Sequence, residues 1–222
     1  ISAHTLHAAN SAGSNCYNCH MPHTSYGLLK AIRSHTIETP DIETTLKTGR
    51  PNACNLCHLD KTLDWTAEHL AKRTKKPKTN VPNIHKTTAA SVVWLLNGDA
   101  GQRAIAAWHM GWEPALLASG TNWQTPILAD SLNDPYSAVR YIANKAILKQ
   151  PGFDSFKFDF VADDAELLEK QKKAMEIWLN SEKSNPPTPS GAVLLDDEGL
   201  RQKKKVKDLI NTRNNRSMRL RE

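Results

Sequence analysis

The chain has no apolar run approaching the about 18 or more residues that a membrane-spanning helix requires, so no transmembrane span is expected. Aromatic residues are only 6% of it, and none falls in residues 179–222. That C-terminal stretch therefore has no ring to stack on a base, which argues against nucleic-acid binding. There is no initiator Met and no signal peptide, and Ile1-Ser2-Ala3-His4 reads as a mature or cut N-terminus. Cysteine is absent outside two short motifs, so no further thiol is left to staple the fold.

What is present is 39% hydrophobic residue over 222 positions, enough for one large domain or two small ones. The formal charge of +6 is unevenly placed. Residues 201–222 hold nine Lys or Arg against two acids, and residues 1–200 sum to −1. A basic tail of this kind is expected to be a solvated extension or to grip an acidic partner protein.

All four cysteines lie in two copies of one pattern, Cys16-Tyr17-Asn18-Cys19-His20 and Cys54-Asn55-Leu56-Cys57-His58. C-x-x-C-H is the attachment motif of c-type haem. Two thiols at this spacing reach the two vinyl groups on one edge of a porphyrin, and the adjacent imidazole then lies under the iron. Cys16, Cys19, Cys54 and Cys57 are thus the candidate cofactor anchors for two haem c groups, with His20 and His58 as proximal iron ligands. A four-cysteine zinc site and disulfides are the competing readings. Zinc does not require a histidine after each second cysteine, whereas both copies here have one. A thioredoxin-like motif would need a βαβ context that residues 10–60 do not offer. Covalent haem attachment follows export, so a periplasmic, extracellular or equivalent compartment is expected.

Seven further histidines remain, and electron-transfer haems usually take a second strong axial ligand from His or Met. Cys19-His20-Met21-Pro22, followed by His35-Thr36-Ile37-Glu38-Thr39-Pro40 and a second C-x-x-C-H, resembles the C-terminal haem region of ammonia-forming pentahaem cytochrome c nitrite reductases and related multihaem cytochromes. The resemblance covers about residues 4–60. It implies His7 as distal ligand of the haem that follows it, with His4 in reserve. It implies that His35 ligates a haem elsewhere, on a partner chain or an upstream segment, unless it serves one of the two local haems. It also implies a distal ligand from a downstream helix, for which His109 is the candidate ahead of His69 and His85. The catalytic C-x-x-C-K motif of the reductases is absent, so the resemblance implies electron wiring and lends no support to nitrite reduction.

The remainder reads as helical. Residues 72–82, rich in Lys and Pro, form a linker or surface loop. Ala89, Val92, Val93 and Leu96 make one apolar stripe. Asp99 is placed to cap a second helix carrying Ile105 and Trp108, and Thr121 to cap a third with Ile127, Leu128 and Leu132. Asp134-Pro135 opens a fourth, in which Val139, Ile142, Ala143, Ala146 and Ile147 recur at helical spacing, and Pro151-Gly152 stops it. A fifth is expected over residues 164–180 with Leu167, Leu168, Ile177 and Trp178 inward. Asp134 to Arg140 resembles the second-helix signature of a HEAT repeat.

The expected fold is mainly α, a loop-rich dihaem c-type cytochrome region followed by a HEAT-like α-helical repeat domain. Its expected divisions are a dihaem region over 1–62, a linker over 63–86, a helical domain over 87–182, and a Pro-rich linker with a basic tail over 183–222. The expected function is electron transfer within a larger multihaem complex, with other redox proteins or haem subunits as partners. The alternative is the C-terminal part of a multihaem oxidoreductase whose catalytic haem lies upstream or on another subunit.

Overall fold

The computed structural model describes residues 2–182 and 191–218 and is mainly helical. Within the first 62 residues short turns alternate with loops. α1 (Ser2–Thr5) ends at Leu6, whose φ of 59° lies in the left-handed region. α2 (Cys16–His20) is one helical turn, capped by Asn15, whose side chain accepts from the Tyr17 N–H at 3.0 Å. An antiparallel hairpin follows, β1 (Ser25–Gly27) on β2 (Lys30–Ile32), with Tyr26 opposite Ala31. Leu28 and Leu29 form its turn at φ 52° and 54°, the both-positive geometry that matches the strand twist. α3 (Ile42–Thr48) is capped by Asp41, which accepts from the Thr44 N–H at 2.7 Å, and it ends on Gly49 at φ 76°.

The stretch 63–86, expected as a linker, is helical over its first half as α4 (Leu63–Thr74), capped by Thr62. Leu63, Ala67 and Leu70 recur at helical spacing among the charges, and the first two are buried against Leu56 and Leu59. A short turn, α5 (Ile84–Thr87), precedes α6 (Ala90–Asn97). α7 (Ala100–His109) starts with a capping box in which Asp99 and Gln102 satisfy each other's backbone N–H groups. α8 (Glu113–Ser119) carried no expectation from the sequence. α9 (Thr125–Ser131) begins four residues after Thr121, with Pro126 in its first turn, so Thr121 is not its cap. α10 (Ser137–Ile147) buries the five apolar residues that marked it. α11 (Asp164–Glu182) buries Leu167 and Trp178 but leaves Leu168 42% exposed, because adjacent positions on a helix point about 100° apart.

α7 packs between α6 and α10 and also against the hairpin, while α9 packs on α10 and α11. One hydrophobic cluster runs from Ala31, Ile42 and Leu56 through Leu95 and Ile142 to Val206 and Leu209. The expected boundaries at 62, 86 and 182 do not interrupt it.

The basic tail, expected as one amphipathic turn or a mobile arm, forms α12 (Lys203–Asn211) and buries Val206 and Leu209 against α6. Arginines among its described residues pair within the chain. Arg201 pairs with Asp130, and Arg216 with Asp99 at 2.8 Å. The Pro-rich segment 183–190 lies outside the described residues. Among the described residues no helix is long and apolar enough to cross a membrane.

Candidate functional site

Each C-x-x-C-H motif is a tight turn, and each is anchored by asparagine. Asn15 caps the first. In the second, Asn52 accepts from the Cys54 N–H at 3.1 Å. The fully buried Asn55 donates to the Lys61 carbonyl at 3.0 Å and accepts from the Thr66 hydroxyl at 2.7 Å. This network fixes the motif to the first turn of α4, which brings Trp65 and His69 alongside His58.

The motif histidines face the two histidines of the N-terminal segment. The ring centres of His4 and His20 are 6.1 Å apart with planes 25° from parallel, and those of His7 and His58 are 6.0 Å apart at 27°. These gaps are too wide for ring contact. Two metal–imidazole bonds of about 2 Å, plus about 1.1 Å from each nitrogen to its ring centre, give about 6.2 Å for imidazoles on opposite sides of one ion. In a continuous helix His4 and His7 would share one face. The left-handed turn at Leu6 separates them and sends each to a different motif.

Backbone carbonyls set the tautomers. His20 Nδ1 lies 2.6 Å from the Glu38 carbonyl, and His7 Nδ1 lies 2.6 Å from the Thr5 carbonyl. A carbonyl only accepts, so both Nδ1 atoms carry the proton and both Nε2 lone pairs are free for a metal. His58 is pushed below the ordinary histidine range, first by burial and then by His7, which favours the neutral, ligating form. The His7 ring also lies so close to Gly13 that a Cβ there would overlap it.

Between His7 and His58 lies a cavity of about 400 Å³, walled by Gly13, Cys54, Cys57 and Trp65 and reached by Cys19. That volume falls in the usual range for cofactor sites of about 300–1,000 Å³. Burial raises the Cys54 and Cys57 thiols to about 12, with neighbouring sulfurs adding to it. The pair formed by His4 and His20 is more open, since His4 is exposed and His20 half-buried.

Of the other expected ligands, His35, His85 and His109 lie elsewhere. His35 is exposed on the segment after the hairpin. His109 is fully buried beneath α7 and sits in a cluster with His23, Trp108 and Trp112 at 4.9–6.2 Å. Its Nδ1 donates to the Ile105 carbonyl at 2.8 Å, and burial lowers its pKa to about 3. His69 lies on the cavity rim, and His85 is half-buried against a different pocket. Sequence reasoning held His4 only in reserve and missed Trp65, Gly13 and the carbonyls of Thr5 and Glu38. No sequence signal marks a carbonyl as an orienting group.

No family model, curated protein or solved structure matches this chain.

Proposed function

We propose that the protein carries two covalently attached haems and transfers electrons. Cys16 and Cys19 would anchor one, with His20 and His4 as the residues that would hold its iron. Cys54 and Cys57 would anchor the other, with His58 and His7. The observation that supports this most strongly is the doubled pairing of a motif histidine with an N-terminal histidine at the separation of one shared metal ion.

The donor chemistry suits haem better than zinc. A structural zinc takes four protein ligands. Among the described residues, no group of three or more His, Cys, Asp or Glu gathers as a metal-ligand set. Haem iron asks the protein for two. The half-buried positions of Cys54 and Cys57, where a thiolate is disfavoured, suit a neutral thioether.

When bound, the haems would supply one-electron oxidation and reduction near neutral pH. The chain's own residues do the rest. Thr5 and Glu38 hold the imidazoles of His7 and His20 in the ligating tautomer, and Asn55 locks the second motif to α4. Two strong ligands on each iron would leave no open position for a substrate, which favours electron transfer over catalysis. The exposed His35 and the 78% exposed Ile37 are what a subunit of a larger redox assembly would present. The helical scaffold, read as two HEAT-like units, would support the haem region from one side. Covalent haem attachment would follow export, so on this reading the protein would work outside the cytoplasm.

The test is the absorption spectrum of the purified protein, oxidised and reduced, with and without carbon monoxide. Two low-spin haems that survive denaturation and ignore carbon monoxide are expected. A high-spin component that binds carbon monoxide would transfer the reading to an oxidoreductase with an open iron. Absence of any haem spectrum would overturn it.

A further inference from the structure

Trp65 and His69 form a π-bridge from His58 to the surface. The Trp65 ring centre is 5.1 Å from that of His58 and 4.0 Å from that of His69. His69 Nδ1 donates to the Trp65 carbonyl at 2.8 Å, which holds its ring against the indole, and His69 itself is exposed. The path therefore runs from a candidate iron ligand inside the cavity to solvent within two rings.

The surface where it emerges is cationic. Residues 64–78 carry Lys72, Arg73, Lys75, Lys76 and Lys78 against two acids, Asp64 and Glu68. Both acids are already engaged, Glu68 with Lys72 at 2.7 Å and Asp64 with Lys78 at 2.7 Å. Arg73, Lys75 and Lys76 are exposed and have no carboxylate partner among the described residues. Arg73 also reaches the cavity wall, where its charge acts on Cys19 and Cys54. The basic tail, by contrast, spends Arg201 and Arg216 on internal carboxylates.

We propose that the C-terminal end of α4 is the docking face for an acidic electron-transfer protein, with Trp65 and His69 bridging that face to the His58 centre. This rests on the two-haem reading. The exchange is a single electron between the reduced centre and the partner's oxidised cofactor, or the reverse, with no atom transferred. The rings are not themselves oxidised; they shorten the gap across which the electron moves. Unpaired cations beside the port steer an acidic partner to it and repel a basic one, an effect that weakens with ionic strength.

The experiment mixes the reduced holoprotein by stopped flow with one of two small oxidants, the ferricyanide anion or the tris(phenanthroline)cobalt(III) cation, at low and high salt. In K75E/K76E the ferricyanide rate is expected to fall about fivefold at low salt and the cobalt rate to rise, with both differences vanishing at high salt. The control K203E/K204E makes the same charge change on exposed α12 positions and is expected to shift neither rate as much as about twofold. His69→Ala is expected to slow both oxidants about threefold at high salt, where steering is screened, with an unchanged absorption spectrum. Equal responses in the two charge variants would overturn the docking face, and an unchanged His69→Ala rate would overturn the bridge. If the preparation holds no covalent haem, the functional reading itself fails. If haem is present and the rates ignore α4, only this proposal fails.

Discussion

His7 lies opposite His58, the motif histidine more distant in sequence, and not opposite His20. Gly13 makes this possible by leaving room for the His7 ring. If the protein carries the two proposed haems, the pairing predicts a site-specific outcome. His7→Ala should convert one low-spin haem to a five-coordinate form that binds carbon monoxide, and His4→Ala should do so at the other. His35→Ala and His109→Ala should leave both low-spin. Carbon monoxide difference spectra of the four variants check this, and a His7→Ala protein with two unresponsive haems would refute the assignment.

Arg103 and Asp134 form a two-bond ion pair in the core, at 2.7 and 3.1 Å, with both side chains essentially excluded from water. Removing one partner of such a pair strands a buried charge and costs about 3–5 kcal/mol. Arg213 remains 3.3 Å from the Asp134 carboxylate and offsets part of that. Arg103→Ala should therefore lose about 3 kcal/mol, at the low end of the range. The apolar double variant Arg103→Met with Asp134→Leu should lose less, since it strands no fully buried charge, although Arg213 loses its carboxylate partner. Urea denaturation midpoints for the two variants decide the point, and equal losses would contradict it.

His109 couples stability to acid. Its folded pKa is lowered to about 3, against 6.5 when unfolded, so the unfolded chain binds the proton more readily. Its contribution is complete above pH 6.5 and is lost as pH falls from there toward about 3. The slope approaches about 1.4 kcal/mol per pH unit, or about 2 kcal/mol by pH 5. His109→Gln removes this titration. The stability difference between wild type and His109→Gln should therefore shrink or reverse between pH 7 and pH 5. A constant difference across that interval would show that His109 does not titrate on unfolding.

How much of this was legible in the sequence follows from the range of the interaction involved. The Asp99 cap and the buried stripe of α10 depend on neighbours three or four residues away, and both could be read from the local sequence. Asp134 shows the limit. Its position before Pro135 reads as a helix cap, but α10 begins at Ser137 with Tyr136 at the cap position, and Asp134 instead accepts from the Tyr136 N–H at 2.9 Å. Its larger role, the buried pair with Arg103, joins residues 31 positions apart and left no local pattern. α4 was obscured for a related reason, since Leu63, Ala67 and Leu70 are scattered among seven polar or charged residues and declare a buried face only once Leu56 and Leu59 supply something to pack against.

By itself the sequence determined the chemistry on offer: two cysteine–histidine motifs of one pattern, a surplus of imidazoles, a mainly helical body and no apolar run long enough for a membrane-spanning helix. Tertiary structure decided which imidazole meets which motif. A left-handed residue at Leu6 and a missing side chain at Gly13 direct His4 and His7 to separate motifs, while α7 draws His109 into the core. Coordination depends on where a nitrogen points across space, and neither residue type nor spacing along the chain encodes that direction.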